Sequence, residues 1–298
     1  MTTEPVRASA AWLRLRESAD SAARATVLVQ DLRRLLPDAG SIVVHDLGCG
    51  SGSMVRWLAP QLTGPQRWVL YDRDDELLAL AAATPPPRAA DGAPVTIETR
   101  RRDITRLGEK ELAGAGLVTA SALLDMLTAD QLDRLVASCA AARCPVLIAL
   151  SVTGRVALTP PHGSDARIAD AFNAHQRRMT PAGPLLGPDA ADAAAVAFAR
   201  HGLEVRVEPS PWRLGPEHGD LVAAWLTGWV GAAREQQPEL GDIATEHLRR
   251  RLAEAGAGSL SVTVQHADLL AWPRPVVGGP PLRRSSHPGP ASNRSDSA

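Results

Sequence analysis

Residues 42–58 constrain the fold more than any other stretch of this chain. Ile42, Val43 and Val44 run into His45 and Asp46, glycines follow at 48, 50 and 52, and Met54-Val55-Arg56-Trp57-Leu58 resumes at helical spacing. That order predicts a buried strand, a tight glycine turn and a helix start. A turn without Cβ atoms lets a ligand approach the backbone closely. The helix start adds unpaired N–H groups and the positive end of its dipole.

The residues that follow repeat the strand–helix alternation of an open α/β sheet. Gln66 to Asp72 reads as a second strand ending on an acid, 24 residues after Gly48. A carboxylate there suits the ribose hydroxyls of a nucleoside. Asp74 is placed to cap a helix over 75–83. Val95 to Thr99 alternates as a third strand, and Asp103-Ile104 follows Arg100, Arg101 and Arg102, a solvated turn with no aromatic residue interleaved. Residues 116–127 give a fourth strand and the loop beyond it. There Asp125 either orients a substrate, acts as a base, or caps the helix predicted over 128–142. Pro145 to Ser151 is a continuous apolar run, hence a buried central strand.

The flanks are less regular. Residues 9–36 read as helix with a break near Ser18 or Asp20. Arg16, Glu17, Asp20 and Arg24 are expected to form i, i+4 pairs on a solvated face, in preference to closing over a ligand. Residues 154–188 hold five prolines, and a helix over 166–178 carries Asn173, His175, Arg177 and Arg178. A helix over 189–200 stops at Gly202, and 203–208 alternates as a sixth strand. Two helices, 218–236 and 241–255, precede a last strand at 260–266. Pro, Gly, Ser and Arg dominate 273–298, which reads as a disordered tail.

Composition narrows the class. With 298 residues, 45% of them hydrophobic, the chain can bury one large core. A net charge of −1 argues against a nucleic-acid partner. Cys49, Cys139 and Cys144 lack metal or disulfide spacing, which fits free thiols in a reducing compartment. Neither a signal peptide nor an apolar run long enough for a membrane span is visible, so a cytoplasmic protein is expected.

The stretch from Val44 through Asp46 to Gly48, Gly50 and Gly52 resembles the first motif of class I S-adenosylmethionine (SAM) dependent methyltransferases. The resemblance covers about 40–150 closely and 188–270 in outline. It implies a Rossmann-like seven-stranded sheet of order 3-2-1-4-5-7-6 with strand 7 antiparallel. An N-terminal helical layer (1–39) would precede the methyltransferase domain (40–272), with helical cap insertions at about 154–188 and 210–258. The cofactor set it implies is Asp46, Gly48, Gly50, Gly52, Asp72, Arg73, Asp103, Ile104 and Ser121. The acceptor would be a small molecule, with hydroxyl or carboxyl preferred, and His175 or Asp125 as catalytic candidates. His218 is a second histidine candidate, and Arg177 and Arg178 could hold an anionic substrate, though a solvated face is the default. Trp212, Trp225 and Trp229 are expected in the core more than in a pocket wall. The rival readings are an NAD-dependent oxidoreductase, disfavoured by Ser53 at the third fingerprint glycine, and a non-catalytic SAM-binding protein.

Overall fold

A computed structural model describes residues 8–37 and 40–274. The elements in chain order are α1 (Ala10–Ala23), α2 (Thr26–Leu35), β1 (Ile42–Leu47), α3 (Ser53–Leu58), β2 (Gln66–Asp72), α4 (Asp75–Ala83) and β3 (Val95–Arg101). They continue with α5 (Glu109–Leu112), β4 (Leu117–Ser121), α6 (Ala129–Ala141), β5 (Val146–Thr159), α7 (Asp165–Gln176) and the small hairpin β6 (Met179–Thr180) and β7 (Gly183–Pro184). The chain closes with α8 (Ala190–Arg200), β8 (Leu203–Pro209), β9 (Trp212–Leu214), α9 (Gly219–Gln236), α10 (Gly241–Gly256) and β10 (Ser261–Pro273).

The main sheet runs β3-β2-β1-β4-β5-β10-β8, and β10 is antiparallel to both its neighbours. This is the order and the strand reversal that the methyltransferase resemblance implies. Strands β1, β2 and β4 are buried almost throughout because helices cover both sheet faces. One face packs Leu47, Val69, Tyr71 and Val118 against α6 and α8. The other packs Val44, Trp68, Leu70 and Leu147 against α2, α3 and α4.

Three features depart from the sequence expectations. The N-terminal helix breaks at Arg24–Ala25, not near Ser18 or Asp20. The break has tertiary causes: the Arg24 guanidinium donates to Ser53 and Ser121, and the Ala25 N–H donates to Asp268 at 2.8 Å. Strand β5 continues past Ser151 to Thr159, because β10 pairs with it from Val146 to Thr159 with two register shifts. Strand β10 likewise continues from His266 to Pro273, where it pairs with β8. The disordered-tail reading falls almost wholly on 275–298, outside the described residues.

The extended ends of β5 and β10 leave the α/β sheet and carry a third core. Leu158, Ile168, Trp212, Leu226, Trp229 and Val262 pack between α7, α9 and β9. Helix α1 lies against this core through Ala19 and against β9, with the Trp212 indole N–H donating to Asp20 at 2.9 Å. The helical additions therefore stand beside the carboxyl ends of the parallel strands, where ligands bind in such sheets.

Candidate functional site

A cavity of about 740 Å³ opens at the carboxyl ends of β1, β2 and β4 beneath α1. Its size is in the range of small-molecule sites. The turn after β1 forms the floor. Gly48, Gly50 and Gly52 all have positive φ (65°, 54° and 85°). A Cβ on Gly48 would stand 2.9 Å from Leu123, and one on Gly50 would stand 3.0 Å from Leu13 of α1. A side chain at either position would displace a leucine tip and strain the left-handed backbone.

Asp46 supplies the charge beside that turn. The side chain is 1% exposed, and one carboxylate oxygen accepts from the Thr119 hydroxyl at 2.7 Å. The other oxygen, Oδ2, is buried without a hydrogen-bond partner. Burial pushes the Asp46 carboxyl up to about 7, against the pull of Thr119 and the Arg24 guanidinium. An unpaired buried carboxylate oxygen is costly, and a cationic donor relieves that cost. The ammonium of an amino-acid ligand is such a donor, so the residues present fit the methionine end of SAM.

The other sequence-predicted cofactor residues line the same cavity except Gly52, which directly precedes α3 and is not among the lining residues. Asp72, Arg73, Asp103, Ile104 and Ser121 all face it. Asp72 accepts from the Gly50 N–H at 2.9 Å and the Asp74 N–H at 3.0 Å, which ties the end of β2 to the glycine turn. A carboxylate offers about four acceptor positions, so capacity remains for hydroxyl groups. Asp74 caps α4, accepting from Glu76 and Leu77. Asp103 begins a short helical turn and accepts from both the N–H and the hydroxyl of Thr105. The Ser121 hydroxyl accepts from buried Arg24 at 3.2 Å.

Helix α1 roofs the cavity, which overturns its reading as a solvated face. Trp12, Leu13, Arg16 and Asp20 line the space. Arg16 donates to both carboxylate oxygens of Asp20 at 3.1 and 2.9 Å, and its guanidinium lies 4.8 Å from the Trp212 ring centroid. Glu17 is held by Arg56 of α3 at 2.6 and 2.7 Å, and a third Arg56 nitrogen donates to the Ser51 carbonyl. Helix α1 is thus clamped to the glycine turn. The i, i+4 spacing is visible in the sequence, but nothing local distinguishes a buried pair from an exposed one.

Asp125 projects from the loop after β4. Thr128, not Asp125, caps α6, through a reciprocal pair with Gln131. Burial raises the Asp125 carboxyl above the usual range, opposed by Arg16 and Arg178. Asp125 lines the large cavity and also a second one of about 170 Å³, and Trp12, Arg16 and Ala122 are shared in the same way. The second cavity sits between β5, α7, α9 and β10. Trp212 and Trp225 line it, whereas Trp229 stacks behind Trp225 at 4.9 Å and belongs to the core.

His175 lines neither cavity. It points along α7 towards α9, where its Nε2 lies 3.3 Å from Glu235. The His218 Nδ1 lies 2.9 Å from a Glu217 carboxylate oxygen and 3.3 Å from the Gly215 nitrogen, also away from both spaces. Arg177 forms an exposed pair with Asp189, while Arg178 lines the large cavity. Sequence reasoning singles out no role for His266 of β10. It lines the second cavity, is 4% exposed, and burial pushes its imidazole down to about 3. Its one signal in the sequence is a histidine at the inward position of the alternation Val262, Val264, His266.

Residues 44–145 match the family model of a methyltransferase domain, about a third of the chain. No curated protein matches the sequence. Solved structures with a similar fold include a SAM-dependent methyltransferase from Geobacter sulfurreducens in complex with S-adenosyl-L-homocysteine. It is 18% identical, with 92% of this chain and 100% of that chain covered and a TM-score of 0.42. A cyclopropane synthase from Mycobacterium tuberculosis is 14% identical, with 83% of each chain covered and a TM-score of 0.44. A geranyl diphosphate C-methyltransferase from Streptomyces coelicolor A3(2) is 13% identical, with 83% of this chain and 78% of that chain covered and a TM-score of 0.41.

Proposed function

We propose that this chain, which carries a class I, Rossmann-like SAM-dependent methyltransferase domain, methylates a hydroxyl group of a small molecule with Asp125 as the proton acceptor. The observation that carries this reading is the position of Asp125 on the wall common to the two cavities. Bound SAM supplies a methyl group activated on a sulfonium sulfur. The protein's contribution to such a displacement is placement and exclusion of water.

Each residue then has a defined task. Asp46 would accept from the ammonium, the glycine turn would lie against the amino-acid end, Asp72 and Arg73 would flank the ribose, and Asp103, Ile104 and Ser121 would complete the adenosine side. Asp125 receives the proton that the acceptor hydroxyl gives up as its oxygen gains the methyl group. A carboxyl raised by burial is a better proton acceptor than a solvated one. A hydroxyl suits this site better than a carboxylate, which would face the Asp125 carboxylate at close range. His175, 3.3 Å from Glu235 on another helix face, has no part in this scheme.

The test is incubation of the full chain with methyl-labelled SAM and a small-molecule extract. A labelled product stable to mild base and shown by NMR to carry the methyl on oxygen is the ether proposed, whereas methyl on nitrogen, sulfur or carbon overturns the hydroxyl reading. A base-labile product identifies an ester and overturns the hydroxyl reading. Asp125→Asn should lower kcat by roughly 10²–10⁴-fold while S-adenosylhomocysteine affinity stays within about twofold. Unchanged kcat would remove Asp125 from the chemistry. The absence of any labelled small molecule with intact cofactor binding would favour a non-catalytic SAM-binding protein.

A further inference from the structure

The second cavity is built unlike the first, and its chemistry points to the acceptor. Three of the chain's seven tryptophans and one of its two phenylalanines line it: Trp12, Trp212, Trp225 and Phe172. Aromatic residues are only 3% of this chain, so their convergence on one small space is a marked concentration. The rings are held in place. Trp212 donates to Asp20 and lies 5.3 Å from the His266 ring, and Trp225 stacks on Trp229. Fixed aromatic walls favour a flat partner, because stacking and edge contacts need defined ring geometry.

Volume and polarity narrow the partner further. The space is about 170 Å³, comparable with an engineered apolar cavity of roughly 150 Å³ that takes up benzene. Three lining residues carry buried polar atoms without hydrogen-bond partners: His266 Nδ1, Asn173 Oδ1 and Gln176 Oε1. The Asn173 amide orientation is set by its donation to the Gly154 carbonyl at 2.9 Å, which leaves the oxygen as the free atom. Asn173 therefore offers an acceptor, Gln176 an unpaired amide atom, and His266 as a neutral imidazole can accept as well. They ask for donors on the ligand.

We infer that the second cavity binds a single planar aromatic ring carrying a further hydrogen-bond donor, so that the acceptor belongs to the phenol class. The inference rests on the methyl-transfer reading for the role of the hydroxyl at Asp125, but the ring site stands on the lining residues alone. In this arrangement the ring lies between the aromatic walls with one hydroxyl at the common wall. A second donor on the ring would pair with one of the unpaired atoms of Asn173, Gln176 and His266.

Calorimetric titration of the full chain saturated with S-adenosylhomocysteine tests it, using 4-hydroxybenzyl alcohol, 4-ethylphenol and 4-methylcyclohexanol as probes. The expected order is 4-hydroxybenzyl alcohol tightest, 4-ethylphenol roughly fivefold weaker, and the saturated ring too weak to detect. Val156→Trp, which fills the cavity from β5, should abolish phenol binding while S-adenosylhomocysteine affinity stays within about twofold. Equal binding of the saturated alcohol, or no probe binding beside normal S-adenosylhomocysteine binding, would overturn the inference. Phenol binding that survives Val156→Trp would also overturn it. Phenol binding by a chain that fails to bind S-adenosylhomocysteine would instead overturn the methyl-transfer reading and leave the aromatic site.

Discussion

The two adjoining cavities are made in different ways. The larger is made of backbone and strand ends: the positive-φ glycines Gly48 and Gly50, and acids at the close of β1 and β2 and beyond β3. The smaller is made of side chains from elements scattered from Trp12 to His266. In the first, the ligand-facing groups follow from local chain geometry, so their spacing along the sequence carries the information. In the second, only the packing of α1, α7, α9 and β10 brings the groups together. Asp125 and Arg16 stand where the two meet.

The largest expected effect separates backbone from side chain directly. At Gly48, φ is +65° and an added Cβ would meet Leu123 at 2.9 Å. Gly48→Val should weaken S-adenosylhomocysteine binding by about 100-fold or more because its branches enter the cradle, while the left-handed strain of about 1–2 kcal/mol falls on stability. Gly114→Val is the control: its φ is +79°, with nothing within 4 Å of the added Cβ. Both variants should lose thermal stability, but only the first should lose the cofactor. Normal binding by Gly48→Val would remove the turn from the cofactor site.

A smaller effect comes from Asp46 and has a defined sign. Its folded carboxyl titrates at about 7, well above the ordinary carboxylate value. An ammonium ligand selects the ionised form, so affinity for S-adenosylhomocysteine should rise roughly tenfold between pH 6 and 8 and level off above. The unliganded fold responds in the opposite direction. Between about pH 4 and 7 the folded carboxyl keeps a proton that the unfolded chain has released, so this group's contribution falls as pH rises through that window. His45 and His266, pushed down to about 4 and about 3, act with the reverse sign. The difference between wild type and Asp46→Asn therefore isolates the Asp46 share. Asp46→Asn should flatten the pH dependence of binding and weaken it by roughly 10–100-fold at pH 8. A wild-type affinity flat from pH 6 to 8 would mean that Asp46 meets no cation.

The same division sets how much of the molecule is legible in its sequence. The strands, the glycine turn and the acids at 46, 72 and 103 can be read there because strand, turn and helix each leave a local pattern, while the strand order comes only through the family resemblance. The roof cannot. Arg16 and Asp20 show an ordinary i, i+4 spacing, and their burial depends on Trp212, 192 residues away from Asp20. The continuation of β5 is hidden too, because Gly154 and Arg155 interrupt the apolar run and the pairing partner is β10. His266 and Asn173 give little signal, since α7 and β10 each carry several polar residues and nothing local says which of them faces a cavity.

The smallest expected effect concerns His175, the histidine that sequence position makes the leading base. Its helix forms where the sequence predicts one, but rotation about the helix axis decides which residues meet the cavity. Phe172, Asn173 and Gln176 line the small cavity, while His175 turns towards α9. Its partner Glu235 is 77% exposed, and pairs of that kind contribute about 0.2–1 kcal/mol. His175→Ala should therefore lower thermal stability slightly and leave kcat and KM within about twofold, in a methyl-transfer assay once an acceptor is in hand. Asn173→Ala, on the cavity-facing side of the same helix, should weaken phenol binding by severalfold. A His175→Ala enzyme with kcat reduced a hundredfold would reverse this assignment, because it would place the proton acceptor on α7 and leave Asp125 with a positioning task.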